Sequence, residues 1–300
     1  MKFRTEYPAI KSSIVLHPDK PVIMVGSCFT QNITAKMEEH LWKTINPCGT
    51  LYNPLSIAEA LLLVADYDSG LHKFEDSLFN YNGIWNSRIF DSSISSASYE
   101  DCISEFRQRQ TNFLNALQEG ADMIVTFGTS IVYYWAENDL LAGNCHKLPA
   151  NLFYRERLSI LNITDTWNLC IKRLKVLAPG LRIIFTVSPV RHLKDGFSEN
   201  LRSKALLCLA VEEITKTNDN CDYFPAYEIL NDDLRDYRFY ASDLVHPSTE
   251  AIEYIWDKFK ETYLDNSGLH IIENNGRKFK ALHHRPKLGA LGKPLLTKEG

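Results

Sequence analysis

The chain has no C-x-x-C pair, no apolar run long enough to cross a bilayer, no surplus of positive charge and no internal repeat. Its seven cysteines, at 28, 48, 102, 145, 170, 208 and 221, are scattered and odd in number. Neither a disulfide framework nor a zinc knuckle is therefore expected, and the thiols read as reduced. A membrane span needs roughly 18 consecutive apolar residues, and no segment reaches that. The opening Met-Lys-Phe-Arg-Thr-Glu-Tyr-Pro puts charges and a proline where a secretory leader carries its apolar core. A cytoplasmic protein without a membrane partner is the expectation. A net charge of −4 and an isoelectric point near 6.2 give no global attraction for a polyanion, so no nucleic-acid partner is expected. Without repeats at solenoid periods, a repeat architecture is excluded.

What is present is a chain of 300 residues with 45% hydrophobic content, enough for a large core in one sizeable α/β domain. Residues 21–27, Pro-Val-Ile-Met-Val-Gly-Ser, form a short continuous apolar run that stops at a glycine, the pattern of a strand buried on both faces. Similar runs lie at 122–128 and 181–188. Helical spacing follows Gln31, with Ile33, Met37 and Leu41 on one face, and further helices are expected over 54–66, 100–118, 165–177, 198–216 and 248–263. Strands alternating with helices predict a three-layer, doubly wound, mainly parallel sheet, flavodoxin-like in type, with ligands beyond the carboxyl ends of the strands. Ser27, Gly128 and Ser188 would share that edge. Residues 67–99, rich in Asp, Ser, Asn and aromatics, read as an ordered insertion over it. The domain is expected to span 1–264, with 265–300 a basic, loosely held tail that includes His283 and His284.

Three side chains carry the chemical signal. Asp243-Leu-Val-His246 places a carboxylate and an imidazole close together before the last expected helix, and Ser27 ends the first strand. A serine hydroxyl is a weak nucleophile at neutral pH; it needs an imidazole to take its proton, and that imidazole needs a carboxylate to hold its tautomer. Cys28 adjoins Ser27, but alternation along an extended chain would aim its side chain away, so it reads as packing.

These residues resemble the SGNH or GDSL hydrolase superfamily, and within it the GSCFA family, whose signature here is Gly26-Ser27-Cys28-Phe29-Thr30 with threonine in place of the final alanine. Further matching blocks are 46–54, 126–130, 144–147, 188–192 and 241–247, so the resemblance covers residues 20 to 260. It implies Ser27 as nucleophile, His246 as general base and Asp243 as its orienting carboxylate. It also implies oxyanion donors: the N–H of Gly49 together with that of Ser27, and a side chain from the middle blocks. Where superfamily members carry Gly-x-Asn, this chain has Ser130 after Gly128, so either Ser130 donates or Asn144 does. Asn144 is preferred, a carboxamide being a better-defined donor than a rotating hydroxyl. Gly49 also reads as an ordinary turn glycine.

Arg191 and His192 follow Ser188-Pro189 and are candidates for a substrate's acidic or hydroxylated group, with pairing to Asp or Glu as the alternative. His146 beside Cys145 lacks a third ligand at metal spacing and reads as structural or substrate-lining; no metal or cofactor is expected. Asp236-Tyr-Arg-Phe-Tyr240 reads as a half-buried strand. The function implied is a serine hydrolase cleaving an ester, an O-acyl or O-acetyl group on a carbohydrate or small metabolite. An O-acyltransferase with the same triad, or a non-catalytic binding module on the same fold, are the alternatives.

Overall fold

The computed structural model describes residues 4–66 and 73–283. From the N-terminus, β1 (Val22–Gly26) leads through Ser27 into α1 (Cys28–Glu39), followed by β2 (Thr44–Ile45) and α2 (Pro54–Asp66). A hairpin, β3 (Leu78–Tyr81) and β4 (Ile84–Ser87), precedes α3 (Tyr99–Gln118) and β5 (Asp122–Phe127). Next come β6 (Ile131–Trp135), β7 (Leu141–Ala142) and β8 (Phe153–Arg157), then α4 (Ile160–Leu177), β9 (Ile183–Val187), α5 (Phe197–Thr217) and β10 (Cys221–Phe224). The short α6 (Ala226–Glu228) runs into a π-helical turn, and α7 (Thr249–Tyr263) and α8 (Asn266–His283) close the described chain.

The main sheet is five-stranded and parallel, in the order β10-β9-β5-β1-β2. Every residue of β1, β5 and β9 is buried, because helices cover both faces. Alternate side chains of β1 go to different cores: Ile23 and Val25 pack toward α2, α3, α4 and α5, while Val22 and Met24 pack toward α1, α7 and α8. The three-layer, doubly wound expectation holds. The chain moves outward from β1 to β2 and then returns to β5 on the other side of β1, so the strand order reverses at the β1/β5 pair, where such sheets open a crevice. Register puts Gly26 opposite Thr126, and Thr126 opposite Thr186. Gly26 is required there: its φ is +126°, and a Cβ would lie 2.1 Å from the Thr126 carbonyl oxygen.

Three features differ from the sequence reading. Residues 266–283 are not a loose tail but a helix; Asp265 caps it by accepting the Gly268 N–H at 2.7 Å. Its two glycines, which break the apparent periodicity, are buried contacts. Gly276 passes so close to α1 that a Cβ would lie 2.8 Å from His40 Nδ1, and that nitrogen is bonded to the Ile272 carbonyl at 2.8 Å. Residues 284–300, with His284 and most of the tail's basic residues, lie outside the described residues. Beyond β5, the antiparallel sheet β7-β6-β8 occupies a stretch with no strand expectation; its strands are short and half-exposed, and their aromatics pack on each other, Tyr134 on Tyr154 and Trp135 on Phe153. Asp236-Tyr-Arg-Phe-Tyr240 is a capped 3-10 turn over Tyr237–Phe239.

In the 67–99 segment the described residues begin at 73. Phe74 stacks on Phe106 of α3 at 4.2 Å between ring centroids, and Phe90 packs edge-on against both. No helix among the described residues is long and apolar enough to cross a membrane.

Candidate active site at the start of helix α1

The loop before α7 is built around Asp243. One carboxylate oxygen, Oδ1, accepts the backbone N–H groups of Val245 and His246 at 2.9 and 3.0 Å, and Oδ2 lies 2.6 Å from His246 Nδ1. Those two N–H groups and the imidazole hold the carboxyl well below its ordinary range, at about 2. Nδ1 therefore carries a proton, and in the neutral ring Nε2 presents its lone pair. Leu244 adopts φ +57° to close the turn, whose ends are tied by the Ala241 N–H on the His246 carbonyl. Asp243 and His246 are each about half-exposed, so water and a substrate carbonyl can reach them.

Nε2 faces Cys28, whose Sγ lies 3.7 Å away. Cys28 is the first residue of α1, and in a helix successive side chains turn by about 100° rather than reversing as in a strand. That turn brings the thiol to the histidine and overturns the reading of Cys28 as packing. Burial pushes the Cys28 thiol up, while the first-turn N–H groups of Cys28 and Phe29 and the nearby Lys204 pull in the other direction; burial prevails.

Ser27 is placed differently. Its side chain is buried against Gly128, where a Cβ would stand 3.1 Å from that of Ser27, and its Oγ has no hydrogen-bond partner among the described residues. Its N–H donates to the Thr126 carbonyl at 3.1 Å as part of the sheet ladder. The expected Ser27–His246 bond is not formed, and the expected use of the Ser27 N–H for an oxyanion is precluded by the ladder.

The expected oxyanion donors each lie against other groups. Gly49, at φ +70°, has the Asp91 carboxylate against its α-carbon, where a Cβ would be 2.3 Å from Oδ1, and Asp91 also accepts the Thr50 N–H at 2.7 Å. A fixed anion there opposes a developing one. Ser130 is fully buried and bonded through both its N–H and its hydroxyl to Ser203 of α5, at 2.7 and 3.1 Å. Asn144 turns its Oδ1 onto the His146 N–H at 2.8 Å, in a segment joined to the hairpin by the Gly143 N–H on the Arg88 carbonyl at 2.6 Å. His146 has both ring nitrogens engaged, Nε2 with the Ser87 carbonyl at 2.7 Å and Nδ1 with Ser92 Oγ at 3.3 Å, and burial lowers its pKa.

Arg191 buttresses the Asp243–His246 loop. Its N–H donates to the Val245 carbonyl at 3.1 Å and its Nη1 to the Leu244 carbonyl at 3.4 Å, while the guanidinium lies 4.0 Å from the Tyr240 ring centroid. His192 is half-buried, with its N–H on Asn200 Oδ1 at 2.8 Å; burial first, then Lys204, lowers its pKa. Among the described residues no three His, Cys, Asp or Glu side chains gather to hold a metal.

The residue that sequence reasoning missed is Lys204. Its fully buried side-chain amine donates to the carbonyls of Gly128 and Ser188, at 2.6 and 2.7 Å, tying together the ends of β5 and β9. Burial drives its pKa from an ordinary 10.5 to about 7. The signal was legible: Lys204 falls on the same helical stripe as Leu207, Val211 and Ile214, all buried, and a lysine on an apolar stripe is rarely incidental.

An α/β protein with a carboxylate–imidazole pair poised at the helix following its first strand is thus defined. The chain matches the GSCFA family over residues 21–259 and belongs to it. No curated protein matches it. Among solved structures it is similar to a family 3 carbohydrate esterase of Clostridium thermocellum, at 9% identity and a TM-score of 0.34 over 85% of this chain and 98% of that one. It is also similar to an acetyl xylan esterase of the rumen bacterium Butyrivibrio proteoclasticus, at 11% identity and a TM-score of 0.41 over 82% of this chain and 63% of that one. A family 3 carbohydrate esterase of Talaromyces cellulolyticus gives 11% identity and a TM-score of 0.31 over 86% and 99%. Likenesses this distant carry no argument about chemistry.

Proposed function

We propose that this protein cleaves esters through an acyl-enzyme, with His246 as general base and then general acid, Asp243 as its orienting carboxylate, and the nucleophile supplied by the Ser27–Cys28 turn. The observation that carries this reading is the relay from Asp243 Oδ2 through His246 Nδ1 and Nε2 to the first residue of α1. Asp243 keeps one tautomer and stabilises the imidazolium, and Nε2 is left to take and return a proton. The start of α1 adds the positive end of its helix dipole, which favours a developing oxyanion. The substrate class we assign is an O-acyl or O-acetyl ester of a carbohydrate or small metabolite. The half-exposed dyad suits a substrate that presents its acyl group at the surface.

The test is initial-rate hydrolysis of p-nitrophenyl acetate by the wild-type protein and by His246→Ala. His246-dependent turnover supports the proposal; equal background rates in the two proteins refute it. Diversion of acyl groups to an added alcohol at the expense of hydrolysis would make the protein an acyltransferase with the same machinery.

A further inference from the structure

We propose that Cys28, and not Ser27, is the nucleophile, so that the acyl-enzyme is a thioester. The inference rests on the acyl-transfer reading above and follows from three placements. Cys28 Sγ is the group within reach of His246 Nε2, at 3.7 Å, while Nδ1 of the same ring is on Asp243. Ser27 Oγ is enclosed against Gly128, with no partner among the described residues to take its proton. The Ser27 backbone is fixed on both sides, its N–H on the Thr126 carbonyl at the strand edge and its carbonyl accepting from the Thr30 N–H at 2.9 Å in the first turn of α1, so rotating the hydroxyl outward cannot be helped by a backbone shift without breaking the β1–α1 junction.

The chemistry balances without a further reactant. His246 Nε2 takes the Cys28 thiol proton as Sγ forms a bond to the ester carbonyl carbon. The tetrahedral oxyanion collapses, the carbon–oxygen bond to the alcohol breaks, and the alkoxide receives the proton held by His246. Water then gives a proton to His246 while its oxygen bonds to the thioester carbon. The carbon–sulfur bond breaks, a carboxylic acid leaves, and the thiolate is reprotonated from His246. Because Cys28 is half-buried and rests as a thiol, its proton must leave in step with attack, and this is where His246 is needed. A preformed thiolate, as in thiol enzymes with strongly cationic surroundings, is not required.

Two measurements decide the matter separately. The first is turnover of p-nitrophenyl acetate by wild type, Cys28→Ala and Ser27→Ala, with mass-spectrometric mapping of the acylated peptide. Loss of roughly 1,000-fold or more in Cys28→Ala, with an acyl group on Cys28 that neutral hydroxylamine removes, is expected. Retention of the wild-type rate by Cys28→Ala, together with its loss in Ser27→Ala and an acyl group on Ser27, overturns the inference while leaving the ester-cleaving reading intact. The second measurement needs no substrate: the rate of iodoacetamide alkylation at the Cys28 peptide in wild type and His246→Ala. A drop of at least about 10-fold without the imidazole is expected for a base-assisted thiol. Equal rates overturn the nucleophile assignment whatever the turnover result. A His246-dependent Cys28 in a protein that turns over no ester upholds Cys28 as the base-assisted nucleophile but sinks the ester-cleaving reading, and the thioester with it.

Discussion

Lys204→Met should change the pH dependence of stability in a direction the burial of this amine dictates. Lys204 is fully buried, no carboxylate among the described residues lies within ion-pair distance of it, and burial brings its pKa from 10.5 to about 7. The unfolded chain therefore takes up the proton as pH falls through about 10.5, and the folded chain only near 7. Between those values the unfolded state binds more protons, so Lys204 makes the protein more stable as pH rises and less stable as it falls. Taking about 1.4 kcal/mol per unit, the penalty at pH 7 is about 4 kcal/mol and at pH 9 about 2 kcal/mol. Methionine removes that penalty but leaves the Gly128 and Ser188 carbonyls without their donor, at about 1–3 kcal/mol each. The two effects nearly cancel at pH 7. Relative to wild type, the variant should be about 2 kcal/mol worse at pH 9 than at pH 7. Urea unfolding followed by tryptophan fluorescence on both proteins at both pH values isolates this difference, because every other titrating group is shared. A stability difference between the two proteins that is the same at pH 7 and pH 9 would refute the argument that the amine is held neutral by burial.

Other outcomes follow from the same geometry. Asp243→Asn should lower p-nitrophenyl acetate turnover by about 10⁴-fold with little loss of thermal stability, because the carboxamide can neither stabilise an imidazolium nor fix its tautomer; a rate within tenfold of wild type would contradict the assigned role. Arg191→Met should lower kcat by about 10-fold or more with KM little changed. The guanidinium supports the catalytic loop through Leu244 and Tyr240, while the Arg191 backbone bond to Val245 survives the substitution. A raised KM with unchanged kcat would instead place Arg191 on the substrate. Gly26→Ala should destabilise by about 3 kcal/mol or more, since a Cβ at φ +126° meets the Thr126 carbonyl; an unchanged unfolding midpoint in urea would refute that.

Much of the fold was legible because its signals are local. The apolar runs of β1, β5 and β9 and the helical spacing of α1 to α5 and α7 are properties of neighbouring residues, and strand–helix alternation leads from them to a doubly wound sheet. Asp243 and His246 were legible for the same reason, since they lie three residues apart and the loop that joins them closes on its own carboxylate, which accepts the Val245 and His246 N–H groups. Helix α8 was not, because Gly268 and Gly276 look like breakers until Asp265 is seen to accept the Gly268 N–H and His40, at the end of α1, to press against Gly276. The β6–β8 sheet was not, because its half-exposed aromatics share neither a clean alternation nor a buried run.

The sequence by itself determined the sheet, the helix following β1, and the carboxylate–imidazole pair, all set by residues close in the chain. Only the tertiary structure decided what that pair faces. Sheet order brings residue 246 to residue 28, and the first turn of α1 then rotates Cys28 toward Nε2 while the β1 ladder and Gly128 hold Ser27 inward. The same packing sets Lys204 beneath the edge and the Asp91 carboxylate against Gly49. Strand periodicity cannot report these placements, because at Ser27 the chain changes from a repeat of two to one of 3.6, and side-chain direction beyond that point depends on where the helix begins.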